Sequence, residues 1–239
     1  MTTSIVHSLE PVTLVGGGNA SEKAVLDTVS KAPICVAADG GADIALRAGV
    51  DLTAVIGDFD SLPAKLRHAL PPDRLHHIPE QNSTDFDKAL RNISAPLVLA
   101  VGFTGARLDH QLAALYVLTK YPERPCILIG EAELTFLCPP RLALPTKAGD
   151  VVSLFPLGPV SGRSEGLKWP IDGLTFGPLT QIGTSNAALG PIALDVDAPH
   201  MLAMVPLTQL DAVMQALVSA PPSARWPARA ERYRDPQQS

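Results

Sequence analysis

From residue 33 to residue 61 the chain reads PICVAADGGADIALRAGVDLTAVIGDFDS, and the reading of this stretch decides the fold. Two short apolar runs, 34–38 and 54–57, each end on an acidic turn. Asp39-Gly40-Gly41 follows the first and Asp58-Phe59-Asp60-Ser61 the second. Between them Ile44, Ala45, Leu46 and Ala48 recur at helical spacing until Gly49 stops them. Strand, helix, strand with continuously apolar strands is the pattern of a parallel sheet covered on both faces. Working outward, the same reading gives strands over 12–17, 75–78, 97–102 and 126–130. Helices fill the gaps over 19–30, 63–70, 84–93 and 108–120. Thr84 has the chemistry of an N-cap, with Asp87 three residues on, and Pro63 suits a first helical turn. The alternation predicts an α/β N-terminal domain with a mostly parallel sheet over residues 1–131.

The texture changes after Glu131. Ten prolines from Pro139 to Pro206 exclude long helices, and the apolar runs 151–155, 174–176 and 192–196 are separated by glycine-rich turns. This predicts a C-terminal antiparallel β-sandwich over 132–222, closed by a helix over 207–218. Residues 223–239, with four arginines and two prolines, read as a disordered tail.

Composition excludes several classes. Of 239 residues 46% are apolar and 18% charged, with a net charge of -5, so disorder is not the main state. A mildly acidic chain without a basic face is not a nucleic-acid binder. The apolar runs are too short to span a bilayer, so no membrane association is expected. Residues 1–12 hold no Lys or Arg and no long apolar stretch, unlike a secretory signal. Cys35, Cys126 and Cys138 lack metal-site spacing and read as buried, reduced thiols of a cytoplasmic protein.

Polar residues gather where apolar runs end: Asp39, then Asp58 and Asp60, then Asp85 at a helix start, then Arg107, Asp109 and His110 after Gly102. Ligands of open parallel sheets bind beyond the carboxyl ends of the strands, which places all four clusters at one edge. Two carboxylates about 4 Å apart repel by about 4 kcal/mol at an effective dielectric near 20. Such a group needs protons or a hard cation, and Mg²⁺ fits because it takes few carboxylates and leaves room for phosphate oxygens. Arg107 then reads as a fixed cation for the remaining phosphate oxygens, and His110 as a supporting partner behind them. Gly16, Gly17 and Gly18 suit either a tight turn or backbone approach to a ligand, without forming a known phosphate-loop motif. On spacing alone, a haloacid-dehalogenase phosphatase and a metal-dependent glycosyltransferase stay open; neither accounts for Arg107 with Asp109.

Taken together the motifs resemble the thiamine pyrophosphokinase (thiamine diphosphokinase) family. The matching pieces are Ala38 to Ala42, Ile56 to Ser61, Ser83 to Phe86 with Lys88 to Leu90, Gly105 to His110, Gly166 to Trp169 and Gly183 to Asn186, in the family's order. The resemblance implies an α/β catalytic domain, a thiamine-binding β-sandwich and a homodimer with active sites at the interface. It also implies pyrophosphoryl transfer from ATP to thiamine. Carried over, Asp58, Asp60 and Asp85 are the catalytic and Mg²⁺-holding acids, with Arg107. Asp39, Gln81, Arg107 and Asp109 fall around the nucleotide, and Trp169, Ser185 and Asn186 around thiamine. Asn82 stands where many relatives carry Asp, Ala106 where Gly is common, and Ala187 where an acid is frequent. A pterin pyrophosphokinase of related fold is the alternative in chemistry. A catalytically silent thiamine or nucleotide sensor is the alternative in class; retention of Asp58, Asp60, Asp85 and Arg107 speaks against it.

Overall fold

A computed structural model describes residues 4–105 and 107–228. The N-terminal half alternates in the expected order. It runs β1 (Val6–His7), β2 (Val12–Val15), α1 (Glu22–Lys31), β3 (Ile34–Ala38), α2 (Gly41–Arg47), β4 (Ala54–Gly57), α3 (Ala64–Ala69), β5 (Leu75–His77), α4 (Asp85–Arg91), β6 (Ile93–Ser94), β7 (Val98–Val101), α5 (Leu108–Lys120) and β8 (Cys126–Ile129). Every strand ladder within this half is parallel. The run β8-β7-β2 lies beside the run β3-β4-β5 through contacts between β2 and β3. Strands β2, β4 and β7 are buried along their whole length because helices cover both faces. Helix α1 starts at Glu22 rather than at residue 19, since the Ser21 hydroxyl accepts from the Ala24 amide at 3.1 Å and caps it there.

The C-terminal half comprises β9 (Glu133–Leu137), β10 (Arg141–Leu144), β11 (Val151–Pro156), β12 (Val160–Leu167), β13 (Thr175–Phe176), β14 (Thr184–Val196), β15 (Met201–Pro206) and α6 (Leu210–Val218). Its ladders are antiparallel. Strand β9 folds back on β8, with Ile129 opposite Leu134, so the sheet continues across the point where the sequence changes texture. Strand β14 ties two layers together. Its first residues pair with β11 and its last with β10 and β12. Gly190 and Pro191 fall where it changes partners, a place for a residue that cannot donate to a ladder. Between the layers Phe136, Leu144, Val152, Leu154, Leu194 and Val205 form one core, which Val213 and Leu217 of α6 close.

The segment expected to be a tail is partly folded. Residues 222–224 form a 3-10 turn, and the Trp226 indole donates to the Cys138 carbonyl at 2.8 Å. An amphipathic tryptophan with a buried carbonyl in reach overrides the local arginine-rich composition. Residues 229–239 lie outside the described residues. Among those described, no helix is long and apolar enough to cross a membrane.

Candidate active site

The acids come from adjacent parallel strands. Asp39 follows β3 and Asp58 follows β4, and both turns use left-handed backbone, with φ of 44° at Asp39 and 66° at Phe59. Gly57 permits the two turns to touch: a Cβ there would lie 2.8 Å from the Asp39 Cβ. Phe59 turns inward, buried against His77 at a ring separation of 5.3 Å, with the Arg67 guanidinium 5.3 Å from its face. Anchoring the middle residue of Asp58-Phe59-Asp60 holds the flanking acids in place. The Ser61 amide donates to Asp39 Oδ2 at 3.0 Å, the Asp60 amide to Asp58 Oδ1 at 3.2 Å, and the Ser61 hydroxyl to Asp60 Oδ1 at 2.8 Å.

Among the described residues, oxygens of Asp39, Asp58 and Asp60 lie within 4.8 Å of one another. Asp85 stands outside this trio, so the set brought together differs from the expected Asp58, Asp60 and Asp85. The reason is Lys88, one turn along α4. Its ammonium sits 2.6 Å from Asp58 Oδ2 and 3.2 Å from Asp85 Oδ1, and its side chain is only 1% exposed. Burial alone would lower the Lys88 pKa, but the two carboxylates outweigh it and raise it. Asp58 is likewise pushed up by burial, yet Lys88 and the Asp60 amide win and hold it below the usual range. Burial raises Asp85 despite Lys88. Burial also drives Asp39 up to about 7, partly offset by the Ser61 amide, with the charges of Asp85 and Asp60 adding to the rise. Asp39 Oδ1 is buried without a hydrogen-bond partner. Hard oxygen donors at this spacing, one of them orphaned, fit a magnesium ion. Lys88 is a site residue that the sequence alone does not single out. Its signal was the spacing Asp85-x-x-Lys88 on one helix face, masked because lysine is ordinarily a solvent residue.

Asp39 and Asp85 line a cleft of about 420 Å³ together with Gly17, Gly18, Asp43, Arg107 and His110, while Asp58, Asp60 and Lys88 adjoin Asp39 and Asp85 without forming part of its lining. Helix α4 enters it with Thr84 as N-cap, the hydroxyl accepting from the Asp87 amide at 3.3 Å. Gln81 donates to Asp58 Oδ2 at 3.2 Å. Arg107 and Asp109 pair at 2.6 Å with both side chains largely exposed, a contact that costs little to exchange for another anion. Ala106 lies outside the described residues. His110 lines the cleft directly, and its amide donates to Asp109.

Trp169, Ser185 and Asn186 lie outside this cleft, whose lining runs from Gly17 to His110. Trp169 is 55% exposed, with the Lys168 ammonium 4.7 Å from its ring. Ser185 is exposed; Asn186 is buried, with its amide group bonded to the backbone of Trp169.

Fold and site define an α/β protein with an acidic, cation-fitting cleft at its strand ends, joined to an antiparallel β unit that displays a tryptophan. Two family models match in sequence. Thiamin pyrophosphokinase, catalytic domain, matches residues 25–129, and Thiamin pyrophosphokinase, vitamin B1 binding domain, matches 141–201. The chain belongs to the thiamin pyrophosphokinase family. Thiamine pyrophosphokinase 1 of Arabidopsis thaliana is 31% identical over 125 residues, covering 45% of this chain and 46% of that one. The match thus spans less than half the length of the curated relative. Among solved structures, the thiamin pyrophosphokinase of Geobacillus thermodenitrificans has a TM-score of 0.66 at 25% identity, over 82% of this chain and 96% of the other. That of Bacillus subtilis has a TM-score of 0.67 at 21% identity, over 82% and 98%, a likeness of fold.

Proposed function

We propose that the protein transfers the pyrophosphoryl group of ATP to the hydroxyl of thiamine, giving thiamine diphosphate and AMP. The observation that carries this reading is the acid trio at the strand ends of a chain that holds both family domains in order. The hydroxyl oxygen forms a bond to the β-phosphorus, the bond from that phosphorus to the oxygen bridging to the α-phosphate breaks, and the hydroxyl proton is lost. No covalent intermediate is required, so catalysis is positioning and charge neutralisation. Asp39, Asp58 and Asp60 would hold Mg²⁺, with Asp85 beside them; the ion supplies neutralisation of phosphate charge. Lys88 fixes Asp58 and Asp85 in place. Arg107 exchanges Asp109 for a phosphate oxygen, and Gln81 orients Asp58 from the nucleotide side. Trp169 offers its exposed face to thiamine, with Ser185 beside it.

The active form is a homodimer that draws each site from two chains. Exposed apolar side chains support it: Leu108, Leu112 and Tyr116 at four-residue spacing along α5, and Leu179, Ile182 and Leu189 in the half that carries Trp169. Three free, buried cysteines suit a reducing compartment, and we place the reaction in the cytoplasm. The test is direct. Incubated with ATP, Mg²⁺ and thiamine, the purified protein forms AMP and thiamine diphosphate in equal amounts. Formation of ADP, or AMP release that ignores thiamine, overturns the reading.

A further inference from the structure

Strand β14 contains a buried residue out of character. Its inward row is Asn186, Ala188, Ile192, Leu194 and Val196, and all but the first are apolar and join the core of the β half. Asn186 is 3% exposed, and a buried amide is tolerated only when hydrogen-bonded. Its partners outside its own strand belong to one neighbouring loop. Oδ1 accepts from the Trp169 amide at 3.1 Å, Nδ2 donates to the Trp169 carbonyl at 2.7 Å, and Oδ1 also accepts from the Ala187 amide at 3.0 Å. One side chain therefore occupies both backbone hydrogen-bonding groups of a single residue, as a paired strand would. The Lys168 amide adds a bond to the Ala187 carbonyl at 2.8 Å.

The rest of the loop is set just as firmly. At Gly166, φ is +76° and a Cβ would meet the Pro191 carbonyl oxygen at 2.2 Å, where β12 shifts register against β14. Beyond the tryptophan, Ile171 is fully buried and its amide donates to Ser164 Oγ at 3.0 Å. Between these anchors Trp169 stays half-exposed on a backbone that Asn186 immobilises.

We propose that Asn186 is a positioning residue for Trp169: it holds the indole in its binding pose through the backbone and makes no contact with thiamine itself. The inference rests on the reading that Trp169 receives thiamine. Preorganising a recognition group removes the ordering cost that binding otherwise includes, so loss of the clamp falls on thiamine and spares ATP.

The test is a double-mutant cycle between Asn186 and Trp169. Asn186→Leu keeps the branched heavy-atom skeleton and suits the apolar row; Asn186→Asp keeps the acceptor and removes the donor. In folded protein, Asn186→Leu raises the thiamine KM about fivefold to tenfold, leaves the ATP KM within about twofold, and Asn186→Asp falls between. In a Trp169→Ala background the Asn186→Leu change adds less than about twofold, because there is no indole left to position. An undiminished effect in that background overturns the proposal, since Asn186 then touches thiamine directly. An unchanged thiamine KM for Asn186→Leu overturns it too. If Trp169→Ala itself leaves the thiamine KM unchanged, the thiamine reading of Trp169 is what fails, and the inference goes with it. A second readout is independent of activity. The chain has two tryptophans, so in a Trp226→Phe background emission reports Trp169 alone. Its anisotropy drops in Asn186→Leu and in Asn186→Asp; equal anisotropy in either folded variant overturns the clamp.

Discussion

At the scale of single residues, the acids of the trio are not equivalent. Asp60 is exposed and bonded to the Ser61 hydroxyl, whereas Asp58 is the closer counter-charge of a buried lysine. Changing either to Asn removes a carboxylate from the trio, and each variant is expected to lose thiamine diphosphate formation. Their stabilities diverge. Asp60→Asn melts with the parent or slightly above it, because a repulsive charge has gone. Asp58→Asn leaves Lys88 with Asp85 at 3.2 Å and a neutral amide, and unfolds about 2 kcal/mol more easily, the scale of a lost hydrogen bond to a charged group. Urea unfolding in EDTA measures the second effect, and turnover at saturating Mg²⁺ the first. Turnover within a few-fold of the parent for Asp60→Asn would refute the metal role of the trio. The positions of the acids were legible in the sequence because each ends an apolar run. The roles of Lys88 and Asn186 were harder to read: each is polar at a buried position, and each has a partner from a distant segment, 30 and 17 residues away.

At the scale of elements, α4 is braced on both faces. Asp85 lines the cleft and Lys88 lies buried against Asp58 and Asp85, while Asp87, buried, accepts from Lys120 Nζ and from the Tyr121 hydroxyl at 2.6 Å each, at the far end of α5. Arg91 reaches back from the last turn to Glu80 at 2.5 Å, and Ser83 also donates to Glu80. This fastens the loop that carries Gln81. Burial would raise the Glu80 pKa, but Ser83 and Arg91 outweigh it and hold it below the ordinary value. A depressed folded pKa contributes stability above the unfolded value of about 4.3, lost as pH falls through the folded one. Glu80→Gln is therefore less stable than the parent at pH 7, and the gap is smaller near pH 3. The difference stays under about 1 kcal/mol because the carboxylate is partly solvated. Melting temperatures at the two pH values check it, and an equal gap at both would contradict the assignment. The strands that were legible were apolar runs. Strand β12, read from Val160 to Leu167, is mostly polar. The first half of β14 was hidden behind Gly190-Pro191, which looks like a terminator but marks a change of partner. Antiparallel pairing across a half-exposed sheet needs one apolar residue in two, and local composition shows that only weakly.

At the scale of the whole molecule, the acidic cleft and the tryptophan proposed to receive thiamine do not meet in one cleft. The acid cleft is lined by residues from 17 to 110, and Trp169 stands half-exposed outside it. A shared site in a two-fold dimer reconciles that placement with a reaction that needs both substrates together. The expectation can be tested by subunit mixing, with Asp60→Asn as the better partner because it leaves the Lys88 pair whole. Co-express Asp60→Asn and Trp169→Ala chains under different tags, purify the mixed dimer, and assay at thiamine concentrations well below KM. There Trp169→Ala alone retains about a tenth of parental turnover, the scale of one desolvated cation–π contact, and Asp60→Asn alone is silent. With shared sites, one site of the mixed dimer carries both lesions and the other carries neither, so turnover returns to about half that of the parent. With sites built from single chains, one is silent and the other works at about a tenth, so the mixed dimer reaches only about a twentieth. A folded mixed dimer at that lower level would show that Trp169 serves its own chain, and a loop movement would then have to bring it to the acids.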